Sequence, residues 1–184
     1  MIESERGFSA LGLELQNETA KGLRNVCEIA AASPRVENLT FGPADMSASL
    51  AFPTVTVGAY LPGYEGLDHF HYVLSQINVA AKSAGVQAID GPYLQIRDLE
   101  GLRKSALRAR ALGFDGKWAL HPEQVAVIQE VFTPSEAEIA HARALLEYYE
   151  DATQNRRNGA VMFGKEMIDE ASRKQAEMIL ARQK

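Results

Sequence analysis

Residues 13–45 read LELQNETAKGLRNVCEIAAASPRVENLTFGPAD. Leu13-Glu14-Leu15-Gln16-Asn17 alternates apolar and polar side chains, the period of a short strand. From Lys21 to Ala32, Leu23, Val26, Ile29 and Ala30 recur on one helical face. Ser33-Pro34 ends that helix, because the residue before a proline avoids the α region. Val36 to Phe41 is a second strand, and Gly42-Pro43 breaks it. The stretch is therefore strand, helix, strand, the elementary unit of a parallel sheet.

The same alternation continues. Ala44 to Gly66 carries several glycines and prolines and reads as a long loop with one short turn, a length usually tied to function. Leu67 to Ala84 is helical, with Phe70, Val73, Leu74, Ile77 and Ala81 in register, and Gly85 is a good helix stop. Val86 to Asp90 is a third strand. Asp98 to Leu112 is a helix closed by Gly113, and Lys117 to Leu120 is a fourth strand. Pro122 suits a first helical turn, and Val125, Ile128, Val131 and Phe132 form that helix's apolar face. Thr133-Pro134-Ser135-Glu136 reads as a capping box. It opens a helix to about Tyr149, buried through Ile139, Ala142, Leu145, Leu146 and Tyr149. A last helix spans about Lys165 to Ala181. Four consecutive βα units predict an α/β fold with right-handed crossovers. No Gly-x-Gly-x-x-Gly run and no phosphate loop follows a strand, so nucleotide binding is not supported.

Composition narrows the function. The 184 residues are 46% hydrophobic and 23% charged, as in ordinary globular chains. A net charge of −5 argues against a nucleic-acid binder. Residues 151–184 hold seven Lys/Arg and five Asp/Glu, so this tail is +2 and the first 150 residues are −7. One cysteine, Cys27, and four scattered His cannot build a zinc cluster. No apolar run approaches the roughly 20 residues of a membrane span. Met1-Ile2-Glu3-Ser4-Glu5-Arg6 is no secretory leader, so the expected location is the cytoplasm.

In parallel α/β folds, chemistry collects at the carboxyl ends of the strands. Glu18 follows the first strand, Asp45 the second, Asp90 ends the third and His121 follows the fourth. Adjacent strands lie about 4.8 Å apart, so Glu18 and Asp45 can aim at one point. Two carboxylates with room for waters suit magnesium. The alternative is that Glu18 serves the following helix dipole and Asp45 an Asx turn. His121 is expected to hold its turn, and His141 to face solvent. His69 and His71 are expected at a helix surface and a core edge. Cys27 reads as a small core residue, Trp118 as packed beneath the helices, and Arg103, Lys104, Arg108 and Arg110 as a solvated face.

Five ordered motifs carry a resemblance. Leu13 to Leu23 is similar to the "QIET-x-x-GL" strand end of the HpcH/HpaI aldolase and citrate lyase β-subunit family. Phe41-Gly42-Pro43-Ala44-Asp45 resembles its "FG-x-x-D" element, and Glu18 and Asp45 keep the family's spacing of 27. Residues 88–92 (AIDGP), 116–124 (GKWALHPEQ) and 164–169 (GKEMID) follow in order. Within the family, the chain looks most like the malyl-CoA lyase type of CoA-ester lyase.

The resemblance implies the C-terminal half of a (β/α)8 TIM barrel, residues 1–132, followed by a C-terminal helical lid, residues 133–184. It implies Mg2+, or Mn2+, held by Glu18 and Asp45. The backbone of Gly42, Pro43 and Ala44 would cradle a 2-oxo-acid carboxylate. Asp169, placed in the tail helix, would exchange the proton at the acyl carbon over a neighbouring subunit's site. The implied reaction is Mg-dependent carbon–carbon cleavage of a 3-hydroxyacyl-CoA, of malyl-CoA or citramalyl-CoA type, to a 2-oxo acid and an acyl-CoA. The partners implied are a CoA thioester, a 2-oxo acid and further copies in a trimer or hexamer, with no nucleic acid and no membrane.

Two departures stand out. By the resemblance, the first strand here is expected to match the family's fifth, so that four βα units and a strand-borne arginine used at the thioester end are not among these residues. Asn17 stands where the family has an apolar residue, and a polar side chain buried without a partner costs roughly 1–3 kcal/mol. Three alternatives share the same motifs: a malyl-CoA thioesterase, a CoA-independent aldolase, and an inactive half-barrel that only assembles with a partner. A complete small four-stranded α/β protein is a further one.

Overall fold

The computed structural model describes residues 2–58, 61–64, 68–156 and 159–183. Its contacts divide the chain into two units, Met1–Phe132 and Thr133–Lys184.

After the short helix α1 (Ile2–Glu5), the first unit is built on four parallel strands in sequential order. These are β1 (Leu13–Asn17), β2 (Val36–Phe41), β3 (Gln87–Asp90) and β4 (Gly116–Lys117). Leu15 pairs with Leu39, which pairs with Ala88. Along this register Leu39, Phe41 and Ala88 turn to the helices and form the core with Phe70, Leu74 and Ile77. Asn38, Thr40 and Ile89 lie on the opposite face, as strand alternation requires. There Thr40 donates to Glu14 across 2.8 Å.

The helices follow the expected order with several corrections. The helix expected over 21–32 is two short pieces, α2 (Ala20–Arg24) and α3 (Val26–Ala30), joined at Asn25. Asn25 leaves the helical region at ψ 15, and with Gly22 supplies the low helix propensity that permits the break. Cys27 is exposed, because it sits one residue off the Val26 and Ala30 stripe that packs inward. The long loop expected from Ala44 begins instead as α4 (Pro43–Ser49), with Pro43 at its first position. Proline after a strand breaks it, yet its fixed φ starts a helix equally well. Gly66 and Leu67, the expected loop end and helix start, lie outside the described residues. Helix α5 (His71–Ala84) runs to Gly85, whose φ of 71 makes the left-handed stop.

Helix α6 (Leu99–Ala111) is capped by Asp98, and α7 (Pro122–Phe132) starts at its proline. Strand β4 has two residues, not four, and Trp118 is 41% exposed rather than packed beneath the helices. Its N–H still reaches Asp90 O at 2.9 Å, after which the chain leaves the sheet. On α7, Val125 is exposed and Gln124 is buried, because Gln124 bridges Leu120 N–H and Tyr93 O.

The second unit is α8 (Glu136–Arg156), a hairpin of β5 (Ala160–Phe163) and β6 (Glu166–Asp169), and α9 (Glu170–Ala181). Helix α8 runs past the expected end at Tyr149. Its capping box is Ser135 with Glu138, not Thr133 with Glu136: Glu138 accepts from Ser135 N–H and Ser135 Oγ accepts from Glu138 N–H. Residues 165–169, expected as helix, form the turn and second strand of the hairpin. Gly164 turns the ribbon with φ 62. Val161, Phe163 and Ile168 pack with Leu145, Tyr149 and Ala176, while Met162 and Met167 are exposed.

Candidate metal and substrate site

Glu18 leaves β1 one residue after its last ladder position, half-buried. Gly42 N–H bonds to Asn17 O at 3.0 Å, which brings the start of α4 beside it. A Cβ at residue 42 would fall 2.5 Å from Glu18 Cβ, 2.7 Å from Glu18 Oε2 and 2.9 Å from Gln16 Nε2. Only glycine leaves that space, so the Glu18 carboxylate lies directly on the strand end that starts α4. Asp45 stands in the first turn of α4, three residues on, and is exposed. Ala20 N–H donates to Ser49 Oγ at 2.9 Å, tying the segment after Glu18 to the far end of α4.

The helix caps are made by other residues. Thr19 Oγ1 accepts from Gly22 N–H and caps α2, and Gly42 is the N-cap of α4. Neither Glu18 nor Asp45 forms a hydrogen bond or ion pair with another described residue. The Glu18 carboxylate on Gly42 and the Asp45 carboxylate three residues further along, neither paired with a cation among the described residues, are a donor set that fits Mg2+, which takes one or two carboxylates and keeps waters. Among the described residues no cluster of three or more His, Cys, Asp or Glu is placed to hold a metal. Gly42 and Pro43 are buried and Ala44 is exposed at the same turn.

Asp169 is not inside the tail helix. It ends β6 and caps α9, its Oδ1 accepting from Ala171 N–H at 2.9 Å and Ser172 N–H at 3.2 Å. His121 accepts from Glu123 N–H through Nδ1, holding its turn. His69 packs edge-on against Phe52.

Sequence reasoning left Asp90 without a role and passed over Lys117. Lys117 Nζ donates to Asp90 Oδ2 at 2.6 Å and to Gly91 O at 2.7 Å, with both side chains buried. Burial pushes the Lys117 ammonium below its ordinary value, while Asp90 opposes the shift. Arg108 is not simply solvated: its guanidinium holds Asp68 at 2.6 Å and approaches Asp90 at 3.9 Å. These groups line a cavity of ≈ 370 Å³ with Phe41 and Pro43. The available signal was a lysine inside a strand of a sheet whose preceding strand ends in an aspartate; that the two are register partners is seen only in the structure.

Comparison with known proteins places the chain. The HpcH/HpaI aldolase/citrate lyase family profile matches residues 4–122. The L-malyl-CoA/beta-methylmalyl-CoA lyase of Rhodobacter capsulatus is 39% identical over 188 aligned positions, covering 97% of this chain and 59% of that enzyme. A citrate lyase structure from Burkholderia xenovorans LB400 superimposes with a TM-score of 0.80 at 26% identity, over 98% of this chain and 55% of that one. The protein CitE of Mycobacterium tuberculosis, solved with magnesium, acetoacetate and coenzyme A, gives 0.73 at 32% identity, over 92% and 59%. The chain thus spans a little over half the length of these relatives.

Proposed function

The chain belongs to the HpcH/HpaI aldolase/citrate lyase family, and from that premise we propose that it carries the metal and 2-oxo-acid site of a CoA-ester carbon–carbon lyase. The substrate class is a 3-hydroxyacyl-CoA of malyl-CoA or citramalyl-CoA type. Four sequential parallel βα units, in a chain whose full match covers 59% of a relative, support reading residues 1–132 as half of a (β/α)8 barrel. Residues 133–184 are the proposed lid of a homo-oligomer.

The observation that carries the reading is the Glu18 carboxylate lying on Gly42, at the turn that holds Asp45. Glu18 and Asp45 would hold Mg2+ or Mn2+. When bound, the ion supplies Lewis-acid stabilisation of oxygen charge as the carbon–carbon bond breaks. The residues Gly42, Pro43 and Ala44 orient the carboxylate of the 2-oxo acid at the start of α4. Asp169 exchanges the proton at the acyl-CoA carbon. Its Oδ1 is engaged by the α9 cap, and Oδ2 makes no bond to another described residue.

The test is a Mn2+ titration of the 184-residue chain followed by electron paramagnetic resonance, with malyl-CoA turnover read by product. Binding that disappears in Glu18→Gln and in Asp45→Asn supports the site. Binding that survives both removes it. Acetyl-CoA as product marks lyase chemistry, and free CoA marks hydrolysis.

One observation favours a second reading, in which the chain acts only when assembled. Among the described residues, strands β1 and β4 each pair on one side only, and Glu14 and Gln16 of β1 are exposed. Unpaired edges and an open inner face invite a covering partner. A monomeric sedimentation profile with cooperative unfolding contradicts that reading.

A further inference from the structure

We propose that Lys117, through Asp90 and Gly91, is a positioning residue for the carboxylate turn. The inference rests on the metal reading above and extends it to a residue on the opposite edge of the sheet. The contacts run without a gap. Lys117 Nζ donates to Gly91 O at 2.7 Å and to Asp90 Oδ2 at 2.6 Å, which fixes the end of β3. Asp90 Oδ1 accepts from Gly91 N–H at 2.9 Å, so both backbone polar groups of Gly91 are held.

Gly91 in turn has no room for a side chain. A Cβ there would fall 2.3 Å from Phe41 O and 2.5 Å from Pro43 Cδ. The end of β3 therefore presses on the last residue of β2 and on the first residue of α4. On the other flank, Gly42 is closed over by Glu18. The turn that carries Asp45 is thus wedged between Gly91 and Glu18, and the Lys117 ammonium sets the position of the Gly91 side. Close-packed backbone transmits a shift of a few tenths of an ångström instead of absorbing it. Metal ligands held in this way lose affinity when their supports are removed, by about 10- to 100-fold for a hydrogen-bonded support.

Lys117 touches neither proposed ligand, so its effect must appear in metal affinity. The experiment measures Mn2+ binding to the 184-residue chain by electron paramagnetic resonance, beside thermal unfolding of the same samples. The variant Asp90→Asn/Lys117→Gln removes the ammonium without leaving a lone buried charge. Gly91→Ala is the second variant and changes no charge at all. The expected result is a loss of Mn2+ affinity of about 10-fold or more in both, with cooperative unfolding retained. A merely structural role lowers the melting temperature and leaves the affinity of the folded chain within about twofold, which overturns the proposal. Gly91→Ala gives the decision if the double variant does not fold. If the parent chain binds no Mn2+, the metal reading falls and takes this inference with it. Parent binding that is lost in Asp45→Asn but unchanged in both support variants overturns this inference alone.

Discussion

Lys117 Nζ lies 2.6 Å from Asp90 Oδ2, with the two side chains 2% and 1% exposed. Replacing Lys117 with Met removes the 2.6 Å partner of a buried carboxylate and leaves it only the more distant Arg108 at 3.9 Å, and the expected loss of stability is about 3 kcal/mol. Urea unfolding measures it. The neutral pair Asp90→Asn/Lys117→Gln is expected to cost less than the sum of its single changes. The pH dependence has a definite sign. Burial holds the folded Lys117 below the ordinary 10.5. The unfolded chain then binds more protons between the folded value and 10.5. The lysine's contribution is complete above 10.5 and is lost as pH falls through the folded value. The parent is expected to gain on the neutral pair as pH rises toward 10.5. The reverse slope contradicts burial as the larger influence.

Tyr93 donates to Asp98 Oδ2 at 2.7 Å. Burial, then the Asp98 hydrogen bond, raises its pKa to about 12. In a phenolate absorbance titration, one of the six tyrosines is expected to ionise last, near 12. Asp98→Asn is expected to bring it back toward 10. Stabilisation from Tyr93 is present below its unfolded value and lost as pH rises through about 12. A titration with no late component refutes the assignment.

Gly42→Ala puts a methyl group 2.7 Å from Glu18 Oε2, so the carboxylate must move. Mn2+ affinity is expected to fall about tenfold or more. Unchanged affinity in this variant shows that Glu18 is not a ligand in its present position.

Asp169 combines a cap with a proposed proton transfer, and two substitutions separate them. Asn caps as well as Asp, whereas Ala costs about 1 kcal/mol. Asp169→Asn is expected to keep the melting temperature and to lose solvent-hydrogen exchange at the acyl-CoA methyl group. Asp169→Ala is expected to lose both. Exchange that persists in the Asn variant assigns the proton transfer elsewhere.

Asn17 is 2% exposed and its Oδ1 has no hydrogen-bond partner among the described residues. It lies on the face of β1 that also carries Leu15, toward the helices. Asn17→Val is expected to raise stability by about 1 kcal/mol, since it removes an unsatisfied buried acceptor. Chemical denaturation decides. A loss instead shows that the amide is bridged by water.

Much of the first unit was legible because its signals are local. The strand over Val36–Phe41 and the helix stop at Gly85 coincide with the observed elements. Period-2 alternation and a left-handed glycine need only neighbours in the chain. The differences arise where the deciding contact is distant in the chain. Pro43 starts a helix or ends a strand with the same φ, and only the packing beyond it chooses. The hairpin over 160–169 was hidden because Val161, Phe163 and Ile168 bury one side only when α8 and α9 are both present.

The sequence by itself determined the order of strands and helices, the absence of a nucleotide loop, and the five motifs of the family. It also put Glu18 and Asp45 after consecutive strands, since strand length and turn position are set by nearby residues. Only the tertiary structure decided that Lys117 meets Asp90, 27 residues away, and that Gly42 and Gly91 flank the Asp45 turn. Those contacts depend on which strands are neighbours and in which register. Register is settled by the burial of whole faces, and no single stretch of chain contains that information.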